Sequence, residues 1–176
     1  MPNHVALLLG SNLDPWHHLP RAVVALRELG RIVGVSHVWQ SAPLGDPHQP
    51  DYCNLAVLLE TELTLEHLWS VDGSLRTIET ALGRVRDPGN KNAARTIDID
   101  VSLFNEEERT LRGKAVPDPD LQSRACAAVP VSELPEVSWP AGGWRALARL
   151  ADRLQAEQPL QPRPDIDALV SAALVE

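Results

Sequence analysis

ARTIDIDVSLF, residues 94–104, reads as a buried strand interrupted by two charges. Successive side chains of an extended chain alternate between faces, so Ile97, Ile99, Val101 and Leu103 share one face and Asp98 and Asp100 the other. The apolar set can anchor the strand to a core. The two carboxylates then stand roughly 6–7 Å apart along the backbone, and each raises the proton affinity of the other unless something positive intervenes. A divalent cation or nearby arginines would resolve the conflict. A strand face simply open to water is the third possibility.

The triplet alone does not decide among these. PDIDALVSAAL (164–174) repeats it in front of a helix-forming run, where Asp165 reads as an N-cap and Asp167 as a first-turn acid. What distinguishes 98–100 is the preceding segment, GRVRDPGNKNAARTIDID (83–100). Arg84 and Arg86 follow a helix end at Gly83, an Asp-Pro-Gly-Asn loop comes next, and Arg95 stands three residues before Asp98. Guanidinium groups beside paired carboxylates suit a phosphate chain with bound Mg²⁺, because arginine presents a planar fork that matches phosphate oxygens. The same arginines could instead neutralise the aspartates.

Outward from this strand, HVALLL (4–9) is a short strand closed by Gly10, Ser11 and Asn12. A helix then runs from beyond Asp14-Pro15 to Gly30, the expected C′ residue. RIVGVSHVWQS (31–41) is a second strand, APLGDPHQPD (42–51) a long Pro-rich loop, and YCNLAVLLETEL (52–63) a third strand. TLEHLWSVDGSLRTIETALGR (64–84) has helical spacing in two stretches interrupted around Asp72 and Gly73, giving one irregular helix or two short ones. The order strand, helix, strand, strand, helix, strand predicts an α+β fold. It is a ferredoxin-like antiparallel sheet with helices on one face and the other left free for loops. C-terminal helices follow: GWRALARLADRLQAE (143–157) is amphipathic, QPLQPRP (158–164) reads as a linker, and a short apolar helix that docks on its own domain closes the chain.

At 176 residues the chain suits one domain with a core. A net charge of −8 argues against nucleic acid as a partner. No stretch approaches the roughly 20 apolar residues of a membrane span. The start of the chain lacks the marks of a signal peptide, and two cysteines 73 positions apart give no disulfide framework, so a cytoplasmic monomer is expected. Tyr52 and Asn54 share a strand face, and an asparagine there can both donate to and accept from a heterocycle edge.

Taken together, LLLGSNL (7–13), SAPLGDPHQPDYCNLAVLLET (41–61), IETALGRVR (78–86), ARTIDIDVSLF and, more loosely, VPDPDLQSR (116–124) resemble the 6-hydroxymethyl-7,8-dihydropterin pyrophosphokinase family of folate biosynthesis. The pyrophosphokinase-like domain is expected over 1–157, with 158–176 a Pro-rich linker and short C-terminal helix that do not form a separate domain. The resemblance implies an ATP-dependent pyrophosphokinase that converts ATP and a hydroxymethyl pterin to AMP and the pterin diphosphate. Asp98 and Asp100 would hold two Mg²⁺ ions; Arg84, Arg86, Arg95 and Arg124 would bind ATP, with Arg84 and Arg95 also catalytic. Ser41, Leu44, Gly45, Tyr52 and Asn54 would bind the pterin. The chain departs from the family pattern at Asp118, where a histidine is usual, and at Cys126, where an aromatic wall is usual. Two other readings stay open on that account: a non-catalytic pterin- or nucleotide-binding homologue, and a pyrophosphokinase of a different heterocyclic alcohol.

Overall fold

The computed structural model describes residues 1–135 and 137–176. Strand β1 (Asn3–Ser11) lies inside the sheet, antiparallel to β4 (Tyr52–Thr61) on one side and to β5 (Asp98–Phe104) on the other. The predicted strand 31–41 is two strands, β2 (Arg31–Val35) and β3 (Trp39–Ser41), which pair with different halves of β4. A two-residue strand, β8 (Gln161–Pro162), extends the sheet from β3, so the order is β5-β1-β4-β3-β8. Residues 158–164, read as a linker, therefore contain an edge strand.

Strand alternation divides the sheet residues between two cores. Val5, Leu7, Leu9, Leu55, Val57, Leu59, Ile99 and Val101 face α1 (Pro15–Leu26), α3 (Ser74–Ala81) and the C-terminal helix α7 (Pro164–Val175). Fully burying each such side chain contributes about 1.5–3 kcal/mol. Ala6, Ala56 and Leu58 face the other way, against α5 (Ala125–Ser132) and α6 (Gly143–Glu157). The mixed α+β architecture with an antiparallel sheet is as expected. The second face, however, is not left to loops: α5 and α6 cover one end of it.

The chain between β4 and β5 forms two short helices, α2 (Leu65–Leu68) and α3. Between β5 and α5 come a hairpin, β6 (Arg109–Leu111) with β7 (Lys114–Val116), and the single turn α4 (Asp120–Ser123).

Three local expectations are corrected. Helix α1 ends at Leu26, and Gly30 does not supply a left-handed cap. A Cβ at Gly30 would lie 2.2 Å from the Glu60 carbonyl oxygen, so close backbone approach requires the glycine. Asp165 is not the N-cap of α7: Arg163 holds that position, Pro164 is the first helical residue, and Asp165 and Asp167 both lie in the first turn. Finally, Leu103 does not share a face with Val101. Leu7 pairs with Val101 but Ala6 with Leu103, so Ser102 is an extra residue in a β-bulge. The bulge turns Leu103 into the second core and brings Phe104 into the first.

Candidate active site

The register sets the site. Gly10 of β1 stands opposite Asp98 on one side and Asn54 on the other, and Leu8 stands between Asp100 and Ala56. Asp98, Asn54 and their row therefore project from the face that α5 only partly covers. Gly10 makes room in this row: a Cβ there would fall 2.6 Å from Asn54 Oδ1. Asn54 is 8% exposed, and among the described residues its amide has no hydrogen-bond partner, leaving its donor and acceptor for a ligand.

A cleft with a cavity volume of about 170 Å³ opens over this row. Ser41, Leu44, Tyr52, Asn54, Arg95, Asp98, Asp100 and Arg124 all line it, although they come from β3, β4, β5, the loop 42–51, the segment before β5 and the start of α5. Gly45 lies in the same loop at φ +83°, with Asn92 next to it, and is not part of the lining. Cys126 does line the cleft, and burial pushes its thiol pKa up. A second cleft, of about 360 Å³, runs from Leu68 and Trp69 to Arg86, Arg112 and Lys114. Asp98 and Asp100 line both, so the aspartates form the ridge where the clefts meet.

The arginines are fixed to different degrees. Arg95 donates to Asp98 Oδ2 at 2.9 Å, to the Lys91 carbonyl at 2.6 Å and to the Ala93 carbonyl at 3.3 Å. Its own backbone N–H donates to Asn12 Oδ1 at 2.8 Å. Arg84 stands 3.7 Å from Asp98 and donates to the Ile97 carbonyl at 3.1 Å, and its buried Nε has no partner among the described residues. Arg86 pairs with Glu79 at 2.6 Å beside the second cleft, and Arg124 with Asp120 at 2.8 Å beside the first.

The two aspartates are not equivalent. Asp98 has Arg95 and Arg84 beside it, whereas among the described residues Asp100 has no cation at ion-pair distance. Burial, with the negative charge of Asp98 added, pushes the Asp100 pKa up to about 7. Asp118, at the position where a histidine is usual in the resembled family, accepts from the Asp120 N–H at 2.9 Å, and burial raises its pKa. Among the described residues no set of three or more His, Cys, Asp or Glu side chains is arranged to hold a metal. Two carboxylates do suit Mg²⁺, which is commonly held by one or two carboxylates and completes its shell with phosphate oxygens and water.

Two residues of the site were not singled out from the sequence. Glu79 of α3 is 3% exposed; it accepts from Arg86 and from the Ile99 N–H, at 2.8 Å, between the two aspartates. An acid at the buried stripe position four after Leu75 was the available signal. Asn12, 2% exposed, accepts from Arg95 and donates to Gln49 Oε1 at 3.2 Å and the Pro50 carbonyl at 3.3 Å, tying the Pro-rich loop to the arginine-bearing one.

Two clefts meeting at paired carboxylates flanked by guanidinium groups, on an antiparallel α+β sheet, form the arrangement of a two-substrate phosphotransferase. The family model described as 7,8-dihydro-6-hydroxymethylpterin-pyrophosphokinase matches residues 6–136. The chain belongs to this pyrophosphokinase family. It is 36% identical over 146 residues to the 2-amino-4-hydroxy-6-hydroxymethyldihydropteridine pyrophosphokinase of Pseudomonas aeruginosa, covering 81% of this chain and 87% of that one. It is 32% identical to the protein of the same name from Helicobacter pylori, covering 81% and 86%. Among solved structures, wild-type HPPK-DHPS of Plasmodium falciparum with STZ-DHP superposes with a TM-score of 0.65 at 13% identity, a likeness of fold. The match covers 89% of this chain and 45% of that longer one.

Proposed function

We propose that this protein transfers a pyrophosphoryl group from ATP to the hydroxymethyl oxygen of 6-hydroxymethyl-7,8-dihydropterin, giving the pterin diphosphate and AMP in folate biosynthesis. Membership of the family supports the reaction. The single structural observation that carries it is the pair of clefts meeting at Asp98 and Asp100, since an acceptor in one and a triphosphate in the other would react at the shared ridge.

In this reading the first cleft takes the pterin. Asn54 reads the amide edge of the ring, Tyr52 offers apolar contact, and Ser41, Leu44 and Gly45 close the loop side. The hydroxymethyl oxygen forms its new bond to the β-phosphorus of ATP as the bond from that phosphorus to the oxygen bridging it to the α-phosphate breaks, and the hydroxyl proton leaves to solvent. Arg95 and Arg124 hold phosphate oxygens, Arg86 contributes from the second cleft, and Arg84 offsets charge on the transferred group. Two Mg²⁺ ions held by Asp98 and Asp100 with the phosphates would supply Lewis-acid charge compensation. Covering the clefts with the arginine-bearing loop excludes water, the competing acceptor.

Cys126 leaves one wall of the first cleft non-aromatic, which favours a second reading, a pyrophosphokinase of a different heterocyclic alcohol. Incubation with ATP, Mg²⁺ and the hydroxymethyl pterin, followed by chromatography, is expected to yield AMP stoichiometric with the pterin diphosphate. AMP only with another alcohol supports the second reading, and none with any alcohol overturns transfer. The same reading makes the protein a cytoplasmic monomer acting on small molecules, not nucleic acid, as its net charge of −8 and two free cysteines suggest. No described helix is long and apolar enough to cross a membrane. Light scattering at the mass of one chain is the expected result, and a dimer mass would refute the monomer.

A further inference from the structure

Residues 137–176 lie outside the match to the family model, yet they hold neighbours of the residues that line the first cleft, Gln40 beside Ser41 and Ala125 beside Arg124. Between α6 and α7 the chain turns back along β3, and Arg163 becomes a branching point. Its Nη1 donates to Gln40 Oε1 at 2.9 Å, while Nε and Nη2 form a fork with the Asp165 carboxylate at 2.9 and 2.7 Å. Gln40 in turn donates through Nε2 to Asp51 Oδ2 at 2.7 Å. Gln40 and Asp51 belong to the two stems of the loop 42–51, one beside Ser41 and the other beside Tyr52. Their link closes the base of that loop, and Arg163 holds the link from behind.

The backbone is held at the same place. Val38, fully buried at the break between β2 and β3, has its carbonyl satisfied by the Arg163 N–H at 3.0 Å and its N–H by Asp167 Oδ1 at 2.6 Å. The opposite wall receives a comparable contact, because Gln158 accepts from the Ala125 N–H at 3.0 Å at the start of α5.

We propose that Arg163 is a positioning residue for the acceptor cleft, fixing the stems of the loop 42–51 through Gln40 and so holding Ser41 and Tyr52 in place. The inference rests on the reading of that cleft as the acceptor site. Arg163 touches neither substrate in it. A hydrogen bond from a charged donor to a neutral acceptor is lost in Arg163→Ala, with about a tenfold effect expected on the KM for the pterin. The KM for ATP should stay within about twofold, since among the described residues no hydrogen bond or ion pair joins this segment to the lining of the second cleft.

The test uses the full chain with Arg163→Ala, Arg163→Lys and Gln40→Ala, and Val170→Ala in the core beneath α7 as a control for general loosening. Expected are a pterin KM raised about tenfold in Arg163→Ala and Gln40→Ala, partial rescue by Arg163→Lys, and faster amide hydrogen exchange in residues 40–52. The control should lose stability without the KM split. Should both KM values move together as in the control, or exchange in 40–52 stay at the wild-type rate, the proposal is overturned. Because exchange is read without substrate, it tests the clamp even if the wild type makes no AMP, a result that would instead overturn the proposed reaction.

Discussion

Asp100→Asn is expected to cut AMP formation by at least about 100-fold, the scale on which removing one charge-stabilising group acts. The same substitution should make the metal-free protein more stable near pH 8. Both effects follow from one fact, that the Asp100 carboxylate is placed where its charge is uncompensated. Its pKa is raised from 3.8 to about 7, first by burial and then by Asp98. A group whose folded pKa lies above its unfolded value contributes stability that is complete below the unfolded value. Here that contribution is lost as pH rises from about 3.8 to about 7. The ceiling is about 4 kcal/mol for a shift of roughly three units at about 1.4 kcal/mol each, and partial exposure of Asp100 lowers the expected gain to about 1–3 kcal/mol. Urea unfolding with a chelator should show the variant ahead of wild type near pH 8 and level with it below about pH 4. Added Mg²⁺ should stabilise the wild type more than the variant. Equal stability at both pH values would refute the argument.

Glu79→Ala is expected to cost about 2–4 kcal/mol and to lower turnover about 10- to 100-fold. β5 is an edge strand of the sheet, and its outer edge would otherwise present unpaired backbone groups. Glu79 accepts from the Ile99 N–H, and Arg84 donates to the Ile97 carbonyl, so one carboxylate and one guanidinium take the place of a neighbouring strand. Removing Glu79 strands a buried N–H, leaves a cavity and frees Arg86. Asp98 and Asp100 flank the released peptide, and misplacing reacting groups by about 1 Å can cost on the order of 100-fold. The loss of stability corresponds to about 5–15 °C in melting temperature. Glu79→Gln keeps an acceptor for the Ile99 N–H and should recover most of the stability while losing the ion pair to Arg86. A wild-type melting temperature in Glu79→Ala would show that the edge is satisfied in some other way.

Asp98 and Glu79 illustrate the two levels at which the site is encoded. Strand alternation places Asp98 with Asp100, and Tyr52 with Asn54, on shared faces, and it needs only residues one and two positions apart. The strand and helix order follows from equally local patterns, as do the breaks at the Pro-rich loop and around Gly73. Glu79 belongs to the other level. Its partner Ile99 is 20 residues away, and a buried acid reads as a site residue only once the strand edge it covers is known. Arg84 and Arg86 stand two residues apart, and the resemblance implies ATP binding for both and a catalytic role for Arg84. The fold buries the first against Ile97 and leaves the second paired with Glu79 beside the other cleft.

The sequence by itself determined the antiparallel α+β sheet and the shared faces of Asp98 with Asp100 and of Tyr52 with Asn54, because period-two alternation and turn chemistry act over a few bonds; the grouping of the other site residues was only what the family resemblance implied. Only the tertiary structure decided the bulge at Ser102 that sends Leu103 to the second core, and the covering of the second face by α5 and α6. It alone also decided the return of Arg163 and Asp167 to β3, Asp167 reaching Val38 across 129 residues. Those features depend on which backbone groups are left unpaired when distant segments meet, and no local pattern carries that information.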